Sequence, residues 1–193
     1  MPDRFPQTLE FLGARRSYPA KAFRGPVPDR ADLREILSLA LRVPDHGKLE
    51  PWRLIVLERG DMARLADLAG ERAQMLGLDG EKTAKGRGQF DLGRCAVAVI
   101  SSPVAQDKVP LAEQVLSAGA LCMNILHAAT AAGWGGNWLS GWPAHDAEFC
   151  ARAFGCIPGE TLAGIIHIGT PGPIAPDRPR PDIARRVQWG LVP

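Results

Sequence analysis

The chain has 193 residues, 46% of them apolar and 23% charged, with a formal net charge of +2. That length carries one domain with a substantial core, or at most two small ones. The near-neutral balance argues against nucleic acid or an anionic membrane as partner.

The N-terminal stretch Met1-Pro2-Asp3-Arg4 has no apolar core and no cleavage site, so it is not read as a signal peptide. Gln7 to Arg16 reads as a short helix with Leu9 and Leu12 on one side. Pro26 and Pro28 break the chain, and Asp29 then offers an N-cap for a helix carrying Leu33, Ile36, Leu37, Ala40 and Leu41 at helical spacing, ending before Pro44. Trp52 to Leu57 is a strand. Asp61 to Leu76 is an amphipathic helix with Met62, Leu65, Ala66, Ala69, Ala73 and Leu76 inward. Gly77 to Arg94 is polar and glycine-punctuated and reads as a loop or lid with weak helix. Cys95 to Ile100 is a buried strand.

Leu111 to Gly133 is a long helix, apolar nearly all round, which must be covered by its own domain or by a partner subunit. Ser117, Asn124 and His127 within it argue against a membrane span. Gly133 to Trp138 turns into another strand, Asp146 to Phe154 is a helix with Asp146 near its start, and Leu162 to Gly169 is a strand. From Pro171 the chain is an irregular Pro/Arg-rich tail, expected to lie extended over another surface such as a second subunit. Strands separated by helices make a layered α/β or α+β domain.

The four cysteines, at 95, 122, 150 and 156, form no CxxC and have no His at a zinc-like spacing. They read as reduced structural thiols of a cytoplasmic protein, with Cys95 and Cys122 buried, and no metal site is expected. There is no GxGxxG after the first strand, no GxxxxGK[ST], no HExxH and no GxSxG. The glycines at 133, 135 and 136 follow a helix and precede a strand, the wrong order for a dinucleotide loop.

Two stretches carry chemistry. Of the 23 basic residues 18 are arginine, so a single Arg means little, but Arg15-Arg16-Ser17 sets two guanidinium forks beside a hydroxyl, a combination that can hold a phosphate dianion. Pro44-Asp45-His46-Gly47-Lys48-Leu49-Glu50-Pro51-Trp52 is a Pro-bounded turn whose His and Lys can present donors to a flat polar heterocycle. Together they suggest bound flavin mononucleotide (FMN). The bland alternatives are a solvated helix end for the arginines, a turn residue bonded to backbone for His46, and plain packing for Trp138, Trp134 and Trp142. Trp52 reads as core.

With these motifs the chain resembles the nitroreductase family of FMN-dependent oxidoreductases, and within it the short, compact branch of NAD(P)H nitroreductases. The resemblance rests on Arg15-Arg16-Ser17, Arg42-Val43-Pro44-Asp45-His46 with Glu50-Pro51-Trp52, Ser117-Ala118-Gly119, the run Gly133 to Gly141, Phe154-Gly155-Cys156 and Gly169-Thr170-Pro171, in family order. It implies an α+β fold, a mixed sheet flanked by helices and completed by dimerisation, with residues 1–193 forming one FMN-binding domain and 171–193 its irregular tail. It implies that Arg15, Arg16 and Ser17 hold the phosphate and ribityl chain. Arg42 and His46 would reach the flavin from the other subunit, and Trp138, Leu139 and Ser140 would lie along the isoalloxazine ring.

The activity implied is electron transfer from NAD(P)H to nitroaromatic, quinone or similar acceptors by a ping-pong mechanism, in a homodimer with FMN at the interface. No side chain need transfer a proton during hydride delivery, so no catalytic residue is named; Arg16 or Lys48 could supply the cation that favours reduced flavin. Other flavin chemistry on the same scaffold, or flavin binding without nicotinamide turnover, are the alternatives; a ligand-free scaffold is disfavoured by the Arg-Arg-Ser and His-bearing turn. Lys48 and Glu50 stand where larger members carry Asn and Gln, and Glu50 could simply pair with Lys48 or an Arg. Arg178 or Arg180 could be the basic residue that larger members place near the phosphate from their C-terminal segment. Lys82, Lys85 and Arg87 read as a solvated surface rather than a nicotinamide-phosphate site.

Overall fold

A computed structural model describes residues 3–105, 108–173 and 176–191. The first two residues of the N-terminal stretch and residues 174, 175, 192 and 193 of the tail lie outside the described residues. Among the described residues six α-helices, α1 (Pro6–Ala14), α2 (Arg30–Ala40), α3 (Arg59–Met75), α4 (Gly80–Asp91), α5 (Leu111–Ala131) and α6 (Ala147–Phe154), surround four strands, β1 (Trp52–Leu57), β2 (Ala96–Ser101), β3 (Gly135–Leu139) and β4 (Thr161–Gly169). The strands form one sheet in the order β1-β2-β4-β3, and every pairing between them is antiparallel. The α+β layering expected from the resemblance is present.

Alternation along the strands divides the core. Ala96, Ala98, Ile100 and Ile165 face a cluster built with Met62, Leu65, Ala69, Phe90, Phe149 and Phe154, under α3, α4 and α6. Val97, Val99, Ile166 and Ile168 face the other side, against Leu33, Ile36 and Ala40 of α2 and Leu121, Cys122 and Ile125 of α5. Because β2 is buried on both faces, it reads as a continuous apolar run. Burial pushes the Cys95 thiol up to about 11 and that of Cys122 to about 12, so both stay protonated and inert.

The Asp29 cap is present as a full capping box with Asp32. Asp146 caps α6 through the Phe149 N–H and takes both arms of Arg72 from α3, at 2.9 and 3.0 Å. Arg53 on β1 grips Glu160 in the same bidentate way, at 2.9 and 2.7 Å, and holds its carboxyl down at about 2.

Several expectations are corrected. The stretch 77–94 is not a loop or lid: residues 80–91 are the helix α4. Asp79 caps it through the Lys82 N–H, and Phe90 anchors it in the core beside α3. One of its glycines serves contact, since a Cβ on Gly86 would overlap the Trp142 indole. The first helix stops at Ala14, before the arginine pair, and Leu9 and Leu12 are exposed. Leu41 and Leu76 fall past the ends of their helices and are also exposed. Glu50 takes no ion pair with Lys48 or an Arg among the described residues; its N–H donates to Asp45.

Candidate functional site

The chain leaves α1 at Arg15, whose N–H donates to the Phe11 carbonyl, and continues in extended conformation beside β3. The Tyr18 N–H donates to the Gly136 carbonyl, and the Asn137 side-chain amide donates to the Tyr18 carbonyl. Phe11 sets its ring edge-on to His127 of α5 at 5.8 Å, which fixes the end of α1. Burial and the charge of Arg15 beside it hold His127 below the usual imidazole range. Further along, Phe23 packs over Gly135 and Gly169, close enough that a side chain at either would collide with it. The segment bearing Arg15, Arg16 and Ser17 is thus stitched to the sheet edge at β3.

Above it lies a cavity of about 640 Å³, lined by Arg15, Arg16, Ser17, Asn137 and Trp138 on one side and by residues 176–181 of the tail on the other. The size is in the ordinary range for a small-ligand site. Four guanidinium groups, of Arg15, Arg16, Arg178 and Arg180, border it against one carboxylate, Asp177. Arg16 holds the Ala14 carbonyl at 2.5 Å with one arm and Asp177 at 3.0 Å with the other. Arg180 reaches the Gly13 carbonyl at 2.5 Å. Arg15 Nη1 is buried and, among the described residues, has no acceptor. A buried guanidinium arm with nothing to donate to is costly, and it belongs to a residue that lines this cavity.

The tail therefore does not simply leave for another surface: 176–181 folds back over the chain's own N-terminal segment. Beyond it, Ile183, Val187, Trp189 and Leu191 are exposed.

Trp138 donates its indole N–H to the Ala163 carbonyl at 3.2 Å, and its ring lies where a Cβ on Gly164 would stand. Leu139 lines a neighbouring depression of about 540 Å³ with Lys21, Lys85, Gln89 and Gly141, sharing Asn137 and Arg178 with the first cavity. The Ser140 carbonyl accepts from Gln89 Nε2 at 3.3 Å, while Gln89 Oε1 is buried without a donor among the described residues. The two concavities adjoin along β3, where Pro19, Asn137 and Arg178 line both.

Arg42 and His46 lie elsewhere. Asn124 of α5 clamps the end of α2 by donating to the Ala40 and Arg42 carbonyls at 2.9 and 3.1 Å. Asp45 accepts from the Leu49 and Glu50 N–H groups, and Gly47, Lys48 and Glu50 all take positive φ. Two non-glycine residues in the left-handed region make this turn a strained and over-determined one. It holds His46 Nδ1 at 2.8 Å from Glu113 Oε2. Trp52 donates its indole N–H to Ser117 Oγ and packs against the α2/α5 core. Within one chain, Arg15, Arg16, Ser17 and Trp138 come together, with Leu139 and Ser140 adjoining, while Arg42 and His46 border neither concavity.

Sequence reasoning does not single out Lys21, Gln89, Asn137 or Asp177, and it reads Lys85 as solvated. Folding of 80–91 as a helix brings in Lys85 and Gln89, and the return of the tail onto α1 brings in Asp177; no spacing along the chain announces either. Lys82, Lys85 and Arg87 are each paired with an acid, Asp79, Glu81 and Asp67 with Asp91 respectively. Among the described residues no group of three or more His, Cys, Asp or Glu is placed to hold a metal ion, and no helix is long and apolar enough to cross a membrane.

A model of the nitroreductase family matches residues 12–170. The chain is 32% identical over 163 residues to a protein of Escherichia coli strain K12 named "Putative NAD(P)H nitroreductase YdjA", covering 84% of this chain and 87% of that one. Among solved structures it is similar to a nitroreductase-like family protein from Bacillus cereus, with TM-score 0.77 and 19% identity over 98% of each chain. It is also similar to a protein from Desulfovibrio desulfuricans described as "a putative nitroreductase in complex with fmn", with TM-score 0.74 and 19% identity over 99% of this chain and 100% of that one.

Proposed function

The chain belongs to the nitroreductase family, and from that premise we propose that it is an FMN-dependent oxidoreductase moving electrons from NAD(P)H to a nitroaromatic, quinone or similar acceptor. The observation that carries the reading is the Arg-lined cavity with its buried, acceptorless Arg15 Nη1. A phosphate group there would meet the forks of Arg15 and Arg16 and the Ser17 hydroxyl, and Arg178 and Arg180 would close over it from the tail. The adjoining depression then takes the ring system. Asn137 and Leu139 line it together with Gln89, Trp138 lines the neighbouring cavity, and the Ser140 carbonyl holds the Gln89 amide in place. Lys21, which lines the depression, would supply a cation that favours an electron-rich heterocycle, whereas Lys48 does not line it in the same chain.

FMN, when bound, supplies the hydride acceptance and electron donation, alternately with nicotinamide and acceptor. The protein's share is to anchor the phosphate, orient the ring and bias its charge.

Residues 1–193 act as one FMN-binding domain completed in a homodimer. Supporting this are the uncovered apolar surface of α1 and of the start of α5, including Leu9, Leu12, Leu111 and Leu116, the edge position of β1, and the exposed end of the tail. In such a dimer the rigid turn carrying Arg42 and His46 would reach the partner's flavin.

The test is the visible spectrum of the purified protein, before and after anaerobic NADPH and NADH. A yellow protein bleached by either nicotinamide and recoloured by a quinone is expected. One that stays yellow would be a flavin carrier, and a colourless protein that rejects added FMN would end the proposal.

A further inference from the structure

The cavity assigned to a phosphate already contains an anion. Asp177 is the one acidic residue lining it, and its Oδ2 lies 3.0 Å from Arg16 Nη2. The other arm of Arg16 is fixed on the Ala14 carbonyl, so the nitrogen that Asp177 occupies is the one Arg16 would offer to a ligand. Arg15, which lines the same cavity, has one guanidinium nitrogen, Nη1, buried without an acceptor among the described residues. The carboxylate therefore neutralises one fork and leaves its neighbour unsatisfied.

We infer that Asp177 is a built-in competitor for the anion site: it holds Arg16 in the empty protein and is displaced by the phosphate of the ligand, with tail segment 176–181 as the latch that carries it. The inference rests on the reading of this cavity as a phosphate site.

Three features favour displacement over a permanent pairing. The Asp177 side chain is 67% exposed, and Arg16 is its one ion-pair partner among the described residues, so the contact is of the weak, screened kind. A phosphate dianion brings more charge and can take both neighbouring forks, which one carboxylate at this position does not. The latch is also tethered three residues on, where Arg180 donates to the Gly13 carbonyl. Loss of the Asp177 contact therefore swings the segment without freeing it, and Arg178 and Arg180 stay over the site. A prolyl backbone, with Pro176, Pro179 and Pro181 bracketing these residues, keeps the segment extended as it moves.

The experiment compares FMN with riboflavin, which has the same ring and no phosphate, on flavin-free protein by fluorescence quenching, for the wild type, Asp177→Asn and Asp177→Ala. Both variants are expected to bind FMN about threefold to tenfold more tightly, the worth of one exposed ion pair plus the removal of a like charge, with riboflavin affinity unchanged. Inorganic phosphate should compete with FMN more effectively in the variants by a similar factor. Unchanged or weakened FMN binding in the variants would overturn the inference, the weakened case making Asp177 a positioning residue for Arg16. An equal gain for riboflavin would overturn it too.

The underlying reading fails separately, when wild-type protein binds neither flavin. Protection against thermal unfolding by inorganic phosphate alone then decides: greater protection of Asp177→Asn than of the wild type supports the latch, and equal protection sinks it.

Discussion

A guanidinium arm enclosed without an acceptor is tolerable only where the protein gains by it, and Arg15 Nη1 is such a group. Replacing Arg15 and Arg16 together with Ala should leave the fold intact, since both lie beyond the end of α1 and neither belongs to the hydrophobic clusters on the two faces of the sheet. FMN affinity should fall by two orders of magnitude or more, because each charge-assisted contact is worth about 1.5–3 kcal/mol. Equilibrium dialysis with FMN and riboflavin checks this: a loss confined to FMN is expected, and undiminished FMN binding would remove the cavity from consideration. His167 poses a different residue-scale question. It is 1% exposed on β4, both ring nitrogens lack partners among the described residues, and burial pushes its pKa down to about 4. The folded state therefore resists protonation that the unfolded chain accepts from about 6.5 downward, so stability should fall as pH drops between those values. The loss should reach roughly 2.5 kcal/mol by pH 4.5. The Glu160 contribution, its carboxyl lowered from 4.5 to about 2, is lost mainly below that window. Urea titrations at pH 7 and 4.5 should show the loss in wild type and its near absence in His167→Leu. An equal loss in both would assign the acid sensitivity elsewhere.

At the scale of elements, what could be read from the sequence was whatever leaves a periodic trace. The strands β1, β2 and β4, the caps at Asp29 and Asp146, and the inward faces of α2 and α3 follow from apolar spacing and N-cap chemistry, to within a residue or two at the ends. Helix α4 left no such trace. Gly80, Gly86 and Gly88 lower its intrinsic propensity, and only Phe90 and the small Gly86 face the core. Its stability comes from packing: Trp142 lies against Gly86 and donates its indole N–H to the Lys82 carbonyl at 2.9 Å. The two interior glycines should then behave oppositely. A Cβ on Gly88 meets nothing within 4 Å, so Gly88→Ala should stabilise by about 0.5–1 kcal/mol. A Cβ on Gly86 would overlap the indole, so Gly86→Ala should destabilise by about 1–3 kcal/mol and disturb the wall carrying Lys85 and Gln89. Urea midpoints of the two variants decide it, and equal stability would mean that the Trp142 contact is not what holds the helix.

Over the whole molecule, the candidate site divides by range. Arg15-Arg16-Ser17 could be recognised because its members are adjacent in sequence. Asp177, Arg178 and Arg180 join them across more than 160 positions through a tail with no periodic pattern, and no local signal encodes that return. The same division leaves Arg42 and His46 outside the cavity of their own chain, although their turn is braced by hydrogen bonds to Asn124, Asp45 and Glu113. A rigid turn aimed away from its own chain's cavity makes sense if a second copy brings its cavity to it, related by a two-fold axis so that each serves the other. The face that such a pairing would cover includes Leu116, 71% exposed on α5, with Gly119, Ala120 and Met123 following on the same stripe. Leu116→Lys places a charge in that stripe without touching the Arg-lined cavity. Sedimentation velocity should show wild type as a dimer and the variant shifted to monomer. Bound flavin should be lost in step with dissociation, because the residues supplied across the interface leave with the partner. A variant that becomes monomeric yet keeps FMN would show that one chain's cavity suffices and that Arg42 and His46 serve only their own turn. A variant that stays dimeric with FMN bound would place the interface on another face.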